Sequence, residues 1–343
     1  MTNRSVIKKK FSLRYLIFLV SFTVITAVLL IHYFEYNRLN QLFENSSLQK
    51  DTDAVAIHKF NIGRTQYFGE YPGGSFYKHF NNLGFVKNDS TNVKKDSGVY
   101  RVLITGDSHT DGVIASQENF CTLLQDSLTK LNRKTEVLNA GVGYYSFENY
   151  AGVIKRNLYL QPDEYVIMVY TGNDFIENLM YNYHWYNPVQ SLRQFRARLG
   201  WRYQYPLMYN NQSLTQVLYF YFYPYQKQHA VDIAEKKLDY IDSLCKAHHI
   251  KLTLAFIPTQ YDISDTLISK IKNAYGFSDS VLQINRWFTQ SFINYCSAKK
   301  IVTYDLFQQM KSLNDTLYYP KDHHLNQNGN KAIARFMLPH FLN

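Results

Sequence analysis

VYRVLITGDSHT, residues 99–110, decides the fold. Its first eight residues form a largely apolar run rich in β-branched side chains, closed by Gly106 and Asp107, as a strand buried on both faces requires. Four further stretches read the same way: EVLNAG (136–141), EYVIMVYT (164–171), KLTLAFIP (251–258) and IVTYDLF (301–307). Helical spacing recurs between them at about 117–131, 146–160, 229–248 and 281–298, and QNGNKAIARFMLPHFL (327–342) closes the chain. Strands alternating with helices predict right-handed βαβ crossovers and a parallel sheet of about five strands covered on both faces. In such sheets the working residues gather at the carboxyl ends of the strands. No internal repeat is found.

The length, 343 residues, suits one large α/β domain with additions. With 46% hydrophobic and 19% charged residues, a disordered chain and a collagen-like repeat are excluded. The net charge of +10 suggests nucleic acid until it is located. Arg4, Lys8, Lys9, Lys10 and Arg14 supply five of the 37 basic residues, which leaves 32 against 27 acidic ones over the remaining chain. Half the excess therefore sits in a fourteen-residue head, and no basic cluster elsewhere marks a nucleic-acid face. The head precedes YLIFLVSFTVITAVLLIHYF (15–34), an uncharged run long enough to cross a bilayer. Basic residues before it place the N-terminus in the cytoplasm. An uncleaved signal anchor is expected rather than a cleaved signal peptide, since no small-x-small site follows. Either way the remainder is exported.

The expected organisation is a basic head (1–14), a transmembrane anchor (15–34), a stalk and N-terminal extension (35–98), and a main domain (99–343). An aromatic-rich insertion interrupts the main domain at about 181–225. Fifteen of its 45 residues are Tyr, Phe or Trp, and it carries Arg193, Arg196, Arg198 and Arg202 with no acid. Trp185, Trp201 and the run Tyr219–Tyr223 offer faces for sugar rings; a satellite core or a membrane-facing surface is the preferred reading for most of them. Cys121, Cys245 and Cys296 fall in amphipathic stretches without metal-site spacing and are expected as buried free thiols.

The chemistry-bearing residues stand at the strand ends. The first strand runs into Gly106-Asp107-Ser108-His109-Thr110, where a tight turn presents a serine hydroxyl beside a helix N-terminus. The second ends in Asn139-Ala140-Gly141-Val142-Gly143 and the third in Thr171-Gly172-Asn173-Asp174, while Asp322-His323-His324-Leu325-Asn326 precedes the last helix. Acyl transfer by serine needs a nucleophile, a base, a carboxylate to orient the base, and donors for the oxyanion. The chain offers Ser108, His324 and Asp322, with the Ser108 N–H, the Gly143 region and the Asn173 amide as donors. His109 and Asp107 read as structural or supporting, Asp174 as a buttress of its loop. No metal or cofactor is called for.

These four segments, in this order, resemble the blocks of the SGNH (GDSL-type) hydrolases: GDSHT, the NAGVG turn, TGND and DHHLNxxG. The likeness covers about residues 99–343. It implies a flavodoxin-like three-layer α/β/α sandwich, a Ser108 nucleophile, an Asn173 oxyanion donor, and Asp322 and His324 completing a triad. Two departures stand out. Lys321 occupies the position three before His324, so the chain follows the D-x-H spacing of alginate-type acetyltransferase relatives, with His323 as the rival base. Many members have glycine where this chain has Tyr144, which leaves the Gly143 and Tyr144 N–H groups as alternatives. The resemblance implies a membrane-anchored, extracytoplasmic serine esterase removing O-acetyl groups from a glycan. An O-acetyltransferase or lipid esterase with the same acyl-enzyme is the alternative, and a glycan-binding scaffold the non-enzymatic one.

Overall fold

Parallel pairing favours strands that are apolar on both sides, and in the computed structural model the central runs at 100–106, 164–170 and 251–257 are buried almost throughout, the edge runs at 135–139 and 302–305 less so. The structure describes residues 13–45, 63–69, 73–87, 89–186, 200–201, 203–209, 211–313 and 316–342. The basic head up to residue 12, the region 46–62, and Arg193, Arg196, Arg198 and Arg202 lie outside the described residues. A two-stranded antiparallel hairpin, β1 (Thr65–Phe68) and β2 (Phe76–His79), precedes the sheet. The sheet itself is β3 (Tyr100–Gly106), β4 (Thr135–Asn139), β5 (Glu164–Tyr170), β6 (Lys251–Ile257) and β7 (Val302–Asp305). All its pairs are parallel, in the order β4-β3-β5-β6-β7. Counted from β3 this is 2-1-3-4-5, the flavodoxin-type doubly wound order, with its switch point between β3 and β5.

The helices are α1 (Leu13–Asn45), α2 (Ser108–Asp111), α3 (Phe120–Lys130), α4 (Phe147–Asn157) and α5 (Asp174–Tyr186). There follow α6 (Pro206–Tyr209), α7 (Gln212–Phe222), α8 (Gln226–Ala247), α9 (Gln260–Ile263) and α10 (Asp265–Tyr275). The last are α11 (Asp279–Leu282), α12 (Ile284–Ala298), α13 (Phe307–Lys311) and α14 (Gln327–Met337).

Alternation along the strands divides the core in two. Leu103, Tyr165, Ile167, Val169, Leu254 and Phe256 face a layer built from α4, α8 and α12; Ile104, Val166, Met168 and Ala255 face α3 and α14. The sandwich therefore has three layers. The closing helix stops at Met337, and Pro339 turns the rest into a 3₁₀ segment (Leu338–Phe341). Cys121, Cys245 and Cys296 are all free and buried.

The insertion differs from the expectation of a satellite core. Trp201, Met208, Leu214, Val217, Leu218, Tyr219 and Phe220 join the principal core beneath α4, α8 and α12. Of the rings proposed for sugar stacking, Trp201 is 5% and Tyr219 0% exposed, so neither offers a face to a ligand. Tyr203, Tyr221 and Tyr225 stay exposed. The N-terminal helix α1 contains one stretch, Leu13–Phe34, long and apolar enough to cross a membrane, a measure that a signal sequence meets equally.

Arg101, at the start of β3, ties the N-terminal extension to the sheet. It is 1% exposed, donates from Nε to Glu136 (2.7 Å), and donates to the carbonyls of Asn92 (2.8 Å), Val93 (3.1 Å) and Leu160 (2.6 Å). The Leu160 carbonyl is buried with the guanidinium and Glu136 is largely covered, so removing the donor leaves the first without its partner and the second with Lys87 alone. Arg101→Met is expected to cost about 3–5 kcal/mol of stability, measured by chemical denaturation.

Candidate active site

The site is built around a helix of four residues. Gly106 leaves β3, Asp107 caps α2 by accepting the His109 N–H (2.9 Å), and Gly112 at φ +84° ends it. A Cβ on Gly106 would lie 2.1 Å from Thr110 Oγ1 and 2.7 Å from the Met168 carbonyl oxygen, so no other residue fits. A Cβ on Gly141 would fall 2.5 Å from the Asp111 nitrogen. Asn139, ending β4, fixes that approach: its amide donates to Thr110 O (2.8 Å), and its Oδ1 accepts the Gly141 N–H (2.9 Å). Ser108 is thus carried to the carboxyl edge of the sheet, at the switch point.

His324 arrives from the loop before α14. Asn326 caps that helix through Gly329 N–H (3.0 Å), and Asn330 accepts the Phe120 N–H (3.0 Å), which binds α14 to α3. Inside the loop, Tyr319 donates to His324 O (2.9 Å) and His323 to Tyr319 O (2.9 Å). The two histidines part company there. His323 takes φ +67° and its Nδ1 meets Gln260 Oε1 at 2.7 Å. His324 Nε2 lies 2.8 Å from Ser108 Oγ, and its Nδ1 is hydrogen-bonded to Asp322 Oδ1. Burial raises the Asp322 pKa, but the hydrogen bond from His324 and its charge outweigh this and hold the carboxyl below its ordinary value. Lys321 takes no part in these bonds.

Among the described residues, the N–H groups of Ser108, Gly143 and Tyr144 have no acceptor. Gly143 lies close, since a Cβ built on it would be 3.8 Å from the Ser108 Cβ. Tyr144 is exposed and adopts φ +66°, the left-handed region that explains a preference for glycine at this position. Asn173, 2% exposed, ends the turn after β5 and points its amide at Glu177 Oε1 (3.0 Å) and Gln212 Oε1 (3.3 Å).

The remaining sequence candidates take supporting places. The His109 ring stacks on Tyr170 at 3.7 Å between centroids and lies 4.9 Å from the His324 ring. Burial, then the neighbouring His324, push its pKa well below the ordinary histidine value. Asp174 is buried, accepts the Tyr150 hydroxyl (2.9 Å) and the Tyr170 N–H (3.1 Å), and has its pKa raised by burial and by Asp107 and Glu177. Asp107 Oδ2, His109 Nδ1, Asn173 Oδ1 and Asp174 Oδ1 are buried without a hydrogen-bond partner. Such orphans are few in native proteins, and here four share one site. Among the described residues no group of three or more His, Cys, Asp or Glu has the arrangement of a metal site. The sequence reading missed Glu177, Gln212 and Gln216, whose available signal is i,i+4 spacing, Asn173 to Glu177 and Gln212 to Gln216.

No family model matches the chain, and no curated protein matches it by sequence. Solved structures similar to it include the acetyl xylan esterase AlAXEase, with 16% identity and a TM-score of 0.45 over 70% of this chain and 98% of that one. Another is the acetylxylan esterase Axe2 from Geobacillus stearothermophilus in a catalytic mutant form, with 13% identity and a TM-score of 0.43 over 69% and 92%. A member of the lipolytic protein G-D-S-L family from Veillonella parvula shows 13% identity and a TM-score of 0.42 over 71% and 98%. At such identities these are likenesses of fold, and their activities are said of those proteins alone.

Burial raises the Asp107 pKa from 3.8 to about 6, against the opposing pull of the His109 N–H, His324 and Asn173. Between those values the folded chain keeps a proton that the unfolded chain has released, so this group lowers stability as pH rises through the window. Asp107→Asn removes the effect while keeping an acceptor for the cap. Its stability relative to the unaltered protein is expected to improve between pH 4 and pH 7 by up to about 3 kcal/mol, read from denaturation curves at both pH values.

Proposed function

We propose that this chain is an SGNH-type serine esterase, anchored in a membrane by α1 and acting outside the cytoplasm on O-acyl groups of a glycan. The observation that carries the reading is the hydrogen-bonded line from Ser108 Oγ through His324 to Asp322, next to N–H groups that lack acceptors. Nucleophile, base and orienting carboxylate in this relation are what acyl transfer by serine requires.

In the proposed reaction His324 Nε2 takes the Ser108 hydroxyl proton as Oγ attacks the ester carbonyl carbon. Asp322 accepts the Nδ1–H and favours the imidazolium that forms. The carbonyl oxygen, now negative, accepts from the Ser108 N–H, the Gly143 or Tyr144 N–H, and the Asn173 amide. Collapse breaks the ester C–O bond, and His324 returns the proton to the departing sugar oxygen, leaving the acyl group on Ser108. Water, deprotonated by His324, then attacks the acyl-enzyme and releases the free acid. An acceptor hydroxyl in place of water gives O-acyl transfer through the same intermediate, so the triad serves either outcome. The basic head before α1 and the exported remainder favour a surface glycan as the substrate. The insertion contributes less to that choice than its composition suggests, since Tyr181, Tyr183, Trp201, Tyr219 and Phe220 are buried.

A fluorophosphonate probe applied to the detergent-solubilised full chain is expected to label Ser108, located by mass spectrometry, and to leave Ser108→Ala and His324→Ala unlabelled. Turnover of 4-nitrophenyl acetate is expected to fall roughly 10³-fold or more in both variants. A folded protein that neither labels nor turns over is the outcome that sinks the enzymatic reading in favour of a glycan-binding scaffold. Acetate released from an acetylated oligosaccharide, against acetyl passed to a second sugar, separates hydrolase from transferase.

A further inference from the structure

The Asn173 side chain is held more closely than a lone donor in a turn needs. Its amide nitrogen carries two N–H groups. One contact, 3.0 Å to Glu177 Oε1, is a good hydrogen bond; the other, 3.3 Å to Gln212 Oε1, is long. Glu177 stands one helical turn after Asn173, and its own N–H donates to the Asn173 carbonyl at 2.8 Å. The start of α5 therefore fixes the spacing of the two side chains.

The second support comes from the insertion. Gln212 and Gln216 lie one turn apart on α7 and reach the same loop. Gln216, fully buried, donates to Thr171 O (2.7 Å) and to Asn285 Oδ1 (2.8 Å) and accepts the Ile176 N–H (3.0 Å). It grips the loop on both sides of Asn173, while Gln212 meets the amide itself. Asn211 caps α7 at Leu214 N–H (3.0 Å) and so fixes where Gln212 begins the helix. The opposite edge of the amide, Asn173 Oδ1, is buried without a partner.

We propose that Glu177 is the positioning residue of the Asn173 amide, with Gln212 its second support, so that the insertion after β5 belongs to the oxyanion side of the site. The inference rests on the acyl-transfer reading. Glu177 takes one N–H and sets the amide plane. The other, weakly shared with Gln212 in the resting site, is the one the developing oxyanion takes. An amide free to rotate would pay reorganisation at the moment of reaction; one clamped at its far N–H does not.

The test measures 4-nitrophenyl acetate turnover by the full chain in detergent, normalised to Ser108 sites titrated with the fluorophosphonate. Glu177→Ala is expected to lower kcat about tenfold or more, with KM changed less than about threefold. Glu177→Gln keeps an acceptor oxygen at the same reach and is expected to recover most of the loss. In an Asn173→Ala background, Glu177→Ala should cost less than about twofold further, because the two act as one unit. Gln212→Ala supplies a smaller loss of the same kind and stands in if Glu177→Ala does not fold. A kcat per labelled site within twofold of the unaltered protein in both Glu177→Ala and Gln212→Ala, or an undiminished Glu177→Ala effect without Asn173, overturns this inference alone. Absence of both labelling and turnover in the unaltered protein overturns the acyl-transfer reading and this inference with it.

Discussion

A methyl group on Gly106 would collide with the Thr110 side chain and with the backbone of β5, and the whole site depends on that lack of space. Because α2 lies so tightly against the ends of β3 and β5, its four residues have one register, and Ser108 has one place. The same close approach brings Gly141 against the backbone of α2, so the turn after β4 follows from it. Asn139 and Asn119, both donating to the Thr110 carbonyl at 2.8 and 3.0 Å, then hold the turn from outside. A residue 216 positions along the chain meets Ser108 only because α14 is tied to α3 by Asn330 and to its own preceding loop by Asn326.

The site concentrates unfavourable burial. Asp107, His109 and Asp174 are fully or almost fully buried, and the pKa of each moves toward its neutral form. Such groups cost free energy that the rest of the fold must offset. Opposite sites at the other end of the sheet are satisfied instead. Glu164 accepts from Tyr100 (2.9 Å) and Thr253 (2.6 Å) and meets His340 (2.6 Å), and the Arg101 guanidinium makes four hydrogen bonds at the entry to β3. One end of the sheet is held by polar networks, and the other keeps Asp107 Oδ2, His109 Nδ1, Asn173 Oδ1 and Asp174 Oδ1 buried without partners.

Much of this was legible in the sequence, for reasons that differ by residue. All five sheet strands were: the central three as apolar, β-branched runs of strand length bounded by turn residues, the two edge strands by their place between helical stretches. Ser108, Asn173, Asp322 and His324 were legible as strand-end and pre-helix residues. The choice between His323 and His324 was not open to composition. It turns on one backbone angle, φ +67° at His323, which sends neighbouring rings to Gln260 and to Ser108. The four-residue helices α9 and α11 were missed because one turn of helix has no period to detect. The insertion misled for a physical reason: Tyr and Trp are equally at home in a core and on a binding face. Only packing tells the buried Tyr219 from the exposed Tyr221 two residues later.

Tyr144 shows how the remaining departure from the usual pattern fits the chemistry proposed. The turn is closed by the Tyr145 N–H on the Val142 carbonyl at 3.2 Å, with Tyr144 third of four at φ +66°. A side chain in that region costs roughly 1–2 kcal/mol, and Tyr144 does not offset it by burying its own ring, which is 56% exposed. Its neighbours supply the hold: Val142 and Tyr145 are buried, and the Val142 N–H is bound to Gly106 O at 3.1 Å. The turn is therefore anchored to the same strand end that carries Ser108. In the proposed reaction one of the Gly143 and Tyr144 N–H groups would meet the oxyanion, and that anchor would set its direction before substrate arrives. Donors fixed in this way stabilise developing charge without reorganising. On the proposed reading the strain at Tyr144 and the clamp on Asn173 act alike, each exchanging stability or freedom for a donor already in place.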